Sequence, residues 1–130
     1  MKPVNKTLLI GVGGFVGAVL RYVVSGYVQR IANSIEFPYG TLVVNVSGCF
    51  LIGVLSQLAD TRGMFTSESR AFMFVGVLGA YTTFSTFSNE TMAFLRDGET
   101  LPALTNVGAH VVLGLSAVWA GRAVASLIWR

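Results

Sequence analysis

The chain has 130 residues, of which 53% are hydrophobic and only 12% charged, with a mean hydropathy of +0.67 and a net charge of +3. Soluble domains carry about a quarter charged residues, so the composition excludes an ordinary soluble globular protein and predicts an all-α membrane protein of a single domain, residues 1–130. The few positive charges are scattered and form no basic stripe, which excludes nucleic acid as the expected partner, and one cysteine and one histidine supply neither a disulfide framework nor a Cys/His metal cluster.

A helix needs roughly 20 apolar residues to cross a bilayer. Four stretches qualify, at about 7–28, 39–59, 71–95 and 101–129. The loops between them are short and punctuated, and none is long enough for a catalytic domain. In the first stretch, Lys2 and Lys6 precede an apolar run, as in a secretory leader. The run continues beyond Arg21 without a clear small-x-small cleavage pattern, so it is expected to be the first span. Gly13 and Gly17 form a small-xxx-small pair suited to close helix contact, within one subunit or between two. GVGG at residues 11–14 lies inside the span and is read as helix packing rather than a nucleotide loop. Arg21 is the polar anomaly, since an arginine at a helix centre costs about 2.5–3.5 kcal/mol on insertion scales. Two readings stand: it snorkels or bonds a carbonyl, or it lures anions at a pore mouth.

The second span carries Asn45 in GTLVVNVSGCF, with Thr41 one turn before it on the same face. Its amide either bonds a neighbouring helix or presents a donor to a passing anion. In the third span, five hydroxyl residues (Thr82, Thr83, Ser85, Thr86 and Ser88) fall within seven positions, interleaved with Phe84 and Phe87. Hydrocarbon offers no water to such a cluster, which points to a polar path. Serine and threonine can also bond carbonyls one turn back, which is the plainer reading. The two phenylalanines, three residues apart, share one helical face. Just before them, Gly79-Ala80-Tyr81-Thr82-Thr83 is poor helix material. Glu90 is the single acid well inside a predicted span. In the last span Pro102 suits the first turn, His110 and Ser116 supply most of the polarity, and Trp129-Arg130 forms an interfacial anchor.

Positive charges are biased towards the side of the termini: Lys2, Lys6, Arg62, Arg70 and Arg130 against Arg30 and Arg96, five to two. So modest a bias permits insertion in both directions. Four short helices make a thin wall for any pathway, so an oligomer is expected. No paired carboxylates at usable depth, no nucleophile with its base and no phosphate loop are present, so the chain is expected not to be an enzyme.

The motifs GTLVVN at residues 40–45 and GAYTTFSTFS at 79–88, with the glycine-rich first helix ending in Leu20-Arg21, are specific enough to name a family. The chain closely resembles the small bacterial fluoride channels of the Fluc or CrcB family, over nearly its whole length. The resemblance implies an antiparallel homodimer of dual topology with two pores. It implies a third helix broken mid-membrane, whose freed carbonyls hold a central structural Na⁺. By position, Gly79 and Thr82 would supply those carbonyls. Phe84 and Phe87 would present ring edges to fluoride, and Asn45 would coordinate it. Arg21 would lie near the vestibule, with Thr41 and Ser88 along the polar track. Gly79-Ala80 stands where the family usually has Gly-Gly, and Tyr81 replaces a commoner aliphatic residue. Gly114 and Val118 occupy positions where relatives carry a serine and a threonine on the track, leaving His110 or Ser116 to substitute. The function so implied is passive export of cytosolic fluoride across the bacterial cytoplasmic (inner) membrane, with lipid and a second copy of the chain as partners. Two other readings remain: a small proton-coupled exporter using Glu90, and a non-transporting membrane subunit.

Overall fold

The computed structural model describes the backbone of residues 3–130 and the side chains of residues 5–130; Lys2 lies outside the described residues. Four helical spans run through it: Asn5–Ala32, Tyr39–Arg62, Ser67–Arg96 and Thr100–Ile128, each long and apolar enough to cross a membrane. They lie where the hydropathy places them, extended by up to a few residues into polar ends such as Arg30 and Arg62, because helical hydrogen bonding does not stop where the hydrocarbon does.

Helix α1 (Pro3–Ala32) ends at Asn33, whose φ of 49° is the left-handed conformation that terminates helices. Helix α2 (Tyr39–Arg62) follows Pro38 and stops at Gly63, φ 58°, whose amide bonds Ala59 O at 3.2 Å. The third span is composite. Thr66 caps a first turn, α3 (Ser67–Arg70), by accepting from the Ser69 amide. A π-wound stretch, Ala71–Leu78, follows, and then a last short turn, α4 (Gly79–Tyr81). The chain goes extended at Thr82 (φ −84°, ψ 157°) and Thr83 (φ −150°, ψ 113°) before α5 (Phe84–Arg96) begins. Helix α6 (Thr100–Ile128) completes the bundle, with Pro102 in its first turn.

Two glycine-lined crossings hold the bundle. Helix α1 crosses the π-wound stretch at Gly13, Gly17 and Gly76. A Cβ on Gly13 would lie 2.6 Å from Phe72 O and 3.1 Å from Gly76 Cα, and one on Gly17 would run into the Val77 carbonyl. Helix α2 crosses α6 at Gly53 and Gly121; a Cβ on Gly121 would lie 2.9 Å from Val54 N. In a bilayer, where exclusion from water does not drive helices together, such close backbone approach is the main source of attraction. These glycines therefore serve packing within the subunit. Gly108, by contrast, faces open space: a Cβ there would meet nothing within 4 Å.

Near the end of α2, Arg122 pairs with Asp60 at 3.2 Å and donates to Gln57 Oε1 at 3.2 Å. Most of the apolar surface remains uncovered by the chain itself: only 11% of the α1 window and 22–28% of the other three are buried.

Candidate functional site

The break at Thr82–Thr83 organises the polar residues. A continuous helix would give the Thr83 amide to Gly79 O. Here the Thr83 amide donates to Asn45 Oδ1 at 2.8 Å, and Asn45 Nδ2 donates to Thr83 O at 3.1 Å. One side-chain amide from α2 thus satisfies both backbone groups of the extended residue, as a neighbouring strand would. Unsatisfied backbone groups in hydrocarbon cost several kcal/mol each, so Asn45 is what makes the break tolerable. The Gly79 carbonyl is released from the helical ladder by the same exchange. On the other side, Thr82 closes the preceding turn through its amide and hydroxyl, both to Leu78 O. Thr83 caps α5: its Oγ1 accepts from the Thr86 amide at 3.2 Å and donates to Thr86 Oγ1 at 3.0 Å. Tyr81, 8% exposed, is held by its hydroxyl against Ser47 Oγ at 2.8 Å.

The amide of Asn45 also reads out the state of its neighbour. A backbone N–H can only donate, so Oδ1 is fixed as the atom facing Thr83 N, and Nδ2 must be a donor. Its second contact, His110 Nε2 at 3.1 Å, is therefore an acceptor. His110 is then neutral, with its proton on Nδ1, which donates to Asn106 O at 3.0 Å. The His110 ring lies on Phe87, centroids 4.3 Å apart and tilted by 39°. Phe87 in turn neighbours Phe84 at 5.5 Å and 55°. Phe84 is 79% exposed on this chain and Phe87 half-buried, so the pair spans from the interior to the outer face.

Two cavities lie beside this site, and the smaller reaches Thr83. An open vestibule of about 1230 Å³ lies between the α1–α2 loop and the α5–α6 loop, and Ser25, Gln29, Thr41 and Glu90 are among its walls. A smaller cavity of about 240 Å³ is lined by Arg21, Ser25, Thr41, Val44, Thr83 and Thr86 among others. Ser25 and Thr41 belong to both. Thr41 donates to Glu90 Oε1 at 2.7 Å, and Glu90 Oε2 is buried without a partner. Arg21 is half-buried and forms no hydrogen bond or ion pair among the described residues, so a bond to a carbonyl does not explain it. Its cavity adjoins the start of α5, where the first helical amides and the positive end of the helix dipole also favour negative charge.

Of the residues expected at the site, Asn45, Phe87 and His110 are drawn together beside Thr83: Asn45 bonds both Thr83 and His110, and the His110 ring rests on Phe87, which touches Phe84. Thr41 and Arg21 line the adjoining cavity. Ser88 is half-buried and forms no hydrogen bond among the described residues; Ser116 is exposed. Gly114 is buried against Cys49, and the Val118 backbone lies against Gly53, so both face the dry α2–α6 crossing. Asn106 is the residue that sequence reasoning missed. It is fully buried, its Nδ2 donates to Thr91 Oγ1 at 3.0 Å, and its Oδ1 has no partner. Its spacing of four from His110, on the same face, was the available signal.

Known proteins match this chain over most of its length. The family described as CrcB-like protein, Camphor Resistance (CrcB), matches residues 8–122. The "Fluoride-specific ion channel FluC 1" of Methanosarcina acetivorans is 44% identical over 115 residues, covering 88% of this chain and 86% of that protein. The "Fluoride-specific ion channel FluC" of Rhizobium meliloti is 45% identical over 120 residues, covering 92% and 95%. That of Shewanella halifaxensis is 43% identical over 118 residues, covering 91% and 94%. These relatives are named as channels, in line with the expectation that the chain is not an enzyme. With four membrane-spanning helices and a family match from the first span to the last, the chain is a multi-pass membrane protein that belongs to the CrcB family.

Proposed function

We propose that the protein is a fluoride-selective passive channel of a bacterial cytoplasmic membrane, working as an antiparallel homodimer with two pores. The observation that carries this reading is the mid-membrane break, which starts α5 between Arg21, without a partner among the described residues, and the Phe84–Phe87 pair. Fluoride holds water tightly and must be offered substitutes for it. Amide and hydroxyl donors, a helix N-terminus and the positive edges of aromatic rings are such substitutes. Relatives named as fluoride-specific channels support the choice of ion. The extensive apolar surface, with Phe84 left 79% exposed, supports a partner subunit and lipid as its cover.

The break also suits a structural Na⁺. The Gly79 carbonyl released from the ladder, together with that of Thr82, offers hard oxygen donors of the kind alkali cations take. Bound there, a cation would offset the exposed carbonyls and tie two subunits at one point. It would not be transported.

The physiological logic is simple. HF crosses membranes neutral, dissociates in the cytosol and traps the anion there. A passive path lets the inside-negative potential drive fluoride out, with no coupling residue. Glu90, which lines the vestibule, bonds Thr41 and keeps one oxygen unpartnered, favours one alternative, a proton-coupled exporter.

The deciding experiment is anion efflux from liposomes holding only the purified protein, with fluoride and chloride compared and Phe84→Ile alongside. Fast fluoride efflux, negligible chloride efflux and a crippled variant are expected. Folded protein that moves no fluoride would remove the reading, and flux that follows an imposed proton gradient would replace it with the exporter.

A further inference from the structure

Asn45 offers two amide hydrogens, and both are engaged. One holds Thr83 O and so maintains the break; the other rests on the lone pair of His110 Nε2. With both hydrogens engaged, Asn45 has no free donor for an anion, and neutral Nε2 has none to add. The first hydrogen cannot be released without exposing the backbone at the break. The second can, because its acceptor is a titratable ring held in place by two other contacts, Nδ1–H to Asn106 O and the tilted ring of Phe87.

Resting on the fluoride-channel reading, we infer that His110 is a proton-linked anion-binding residue of the pore, in which protonation of Nε2 turns a closed Asn45–His110 contact into a two-donor site for fluoride. The change balances simply. Nε2 takes one proton from the aqueous path, the ring gains one positive charge, and the arriving anion offsets it. With Nε2–H now a donor, it no longer accepts from Asn45 Nδ2. The two N–H groups then point into the same space beside Phe87, leaving the Asn45–Thr83 pair intact. Asn106 keeps the ring oriented throughout, since Nδ1 remains a donor in both states.

The sign of the linkage follows. A bound anion favours the charged imidazolium, so fluoride raises the histidine's titration midpoint, and fluoride binds more tightly as pH falls through it. Few other groups can produce the same dependence. The helices packed on α6 near His110 are α2 and α5. Helix α2 brings Cys49 and, at its far end, Asp60 and Arg62; α5 brings Glu90, bonded to Thr41, and Arg96 at its end. Arg122 of α6 itself is paired with Asp60, and Arg21 of α1 lies in the neighbouring cavity.

The chain contains a single histidine, so its imidazole resonances are unambiguous. The test is an NMR pH titration of the ring nitrogens in the reconstituted full-length protein, in sodium fluoride and in sodium chloride. A protonated form that binds fluoride about tenfold more tightly moves the midpoint upward by about one pH unit in fluoride alone. Identical midpoints in the two salts would overturn the inference, whether or not the protein conducts. The second measurement is efflux at sub-saturating fluoride with equal pH on both sides, corrected for protein-free liposomes, between about pH 7.5 and about pH 5.5. Wild type and Glu90→Gln are expected to gain at least severalfold on acidification, and His110→Gln to stay flat. A gain retained in His110→Gln, or lost in Glu90→Gln, assigns the proton elsewhere. Absence of fluoride flux at every pH sinks the channel reading, and the NMR arm still decides the fate of His110.

Discussion

Before the break, the π-wound stretch Ala71–Leu78 presses so closely on α1 that glycine alone fits at positions 13, 17 and 76. After it, α5 has no buried residue at all and is held to its neighbours largely by side-chain hydrogen bonds and ring contacts. Both halves belong to one membrane span of 30 residues. The first half is fixed by dry backbone contact, which tolerates no added atom. The second half is fixed by polar groups, on a helix whose remaining faces stay open. On the proposed reading, stability and transport are thus divided along one span, with Asn45 at the boundary.

The largest expected effect lies in the dry half. Gly17→Val places branched carbon atoms against the Val77 carbonyl and Tyr81 amide, neither of which is the end of a flexible side chain. Overpacking costs about 1–3 kcal/mol in cores that can relax, and backbone against backbone relaxes least. The variant should fail to give a monodisperse peak in detergent. A well-folded Gly17→Val with normal melting would break the division proposed for the two halves.

Asn45→Ala comes next and should harm both functions at once. It strands the amide and carbonyl of Thr83, at about 1–3 kcal/mol for each buried group left unsatisfied. The expected result is a clearly lowered melting temperature together with lost fluoride efflux. Asn45→Asp sharpens the comparison, because it keeps the acceptor for the Thr83 amide and removes both donors. It should melt between wild type and Asn45→Ala. If Asn45→Ala melts as wild type does, the side chain does not hold the break.

A paired test on α6 separates crossings from open faces. Gly121→Ala adds a methyl group 2.9 Å from Val54 N and close to the Phe50 carbonyl, whereas Gly108→Ala adds one to open space. Helix propensity favours both changes by up to about 1 kcal/mol. Gly121→Ala should still destabilise, and Gly108→Ala should be neutral or slightly stabilising in thermal melts of the isolated subunit. The reverse order would show that the crossing is looser than these contacts imply.

How much of this was legible in the sequence depends on the kind of interaction. The four spans were, because hydropathy is a property of consecutive residues. The break was foreshadowed by Gly79 through Thr83, a run with low helix propensity, and the Phe84–Phe87 neighbourhood followed from their spacing. The partners of Asn45 were not legible. Thr83 lies 38 residues away and His110 lies 65, and nothing local distinguishes an amide that braces a backbone from one that waits for an ion. Likewise Gly13 and Gly17 announced a close contact without saying with what. Asn106 was overlooked because its one signal, a spacing of four from His110, says nothing of burial, and its importance comes from burial, which only packing reveals.

Tyr81→Phe should have the smallest effect, and it tests the boundary most finely. Tyr81 is the last residue of the packed half, its amide close to Gly17 and its hydroxyl on Ser47, which also bonds Val44 O. Removing the hydroxyl leaves the ring in its place and deletes one hydrogen bond between spans, worth about 0.6 kcal/mol in membrane proteins. If Tyr81 belongs to the dry half, only that small loss of stability should appear, with fluoride over chloride selectivity unchanged in liposome efflux. If selectivity falls while melting barely moves, the Tyr81–Ser47 bond sets the depth at which the Gly79 and Thr82 carbonyls sit. The polar half would then begin before the break, and packing and pore would share a residue rather than meet at one.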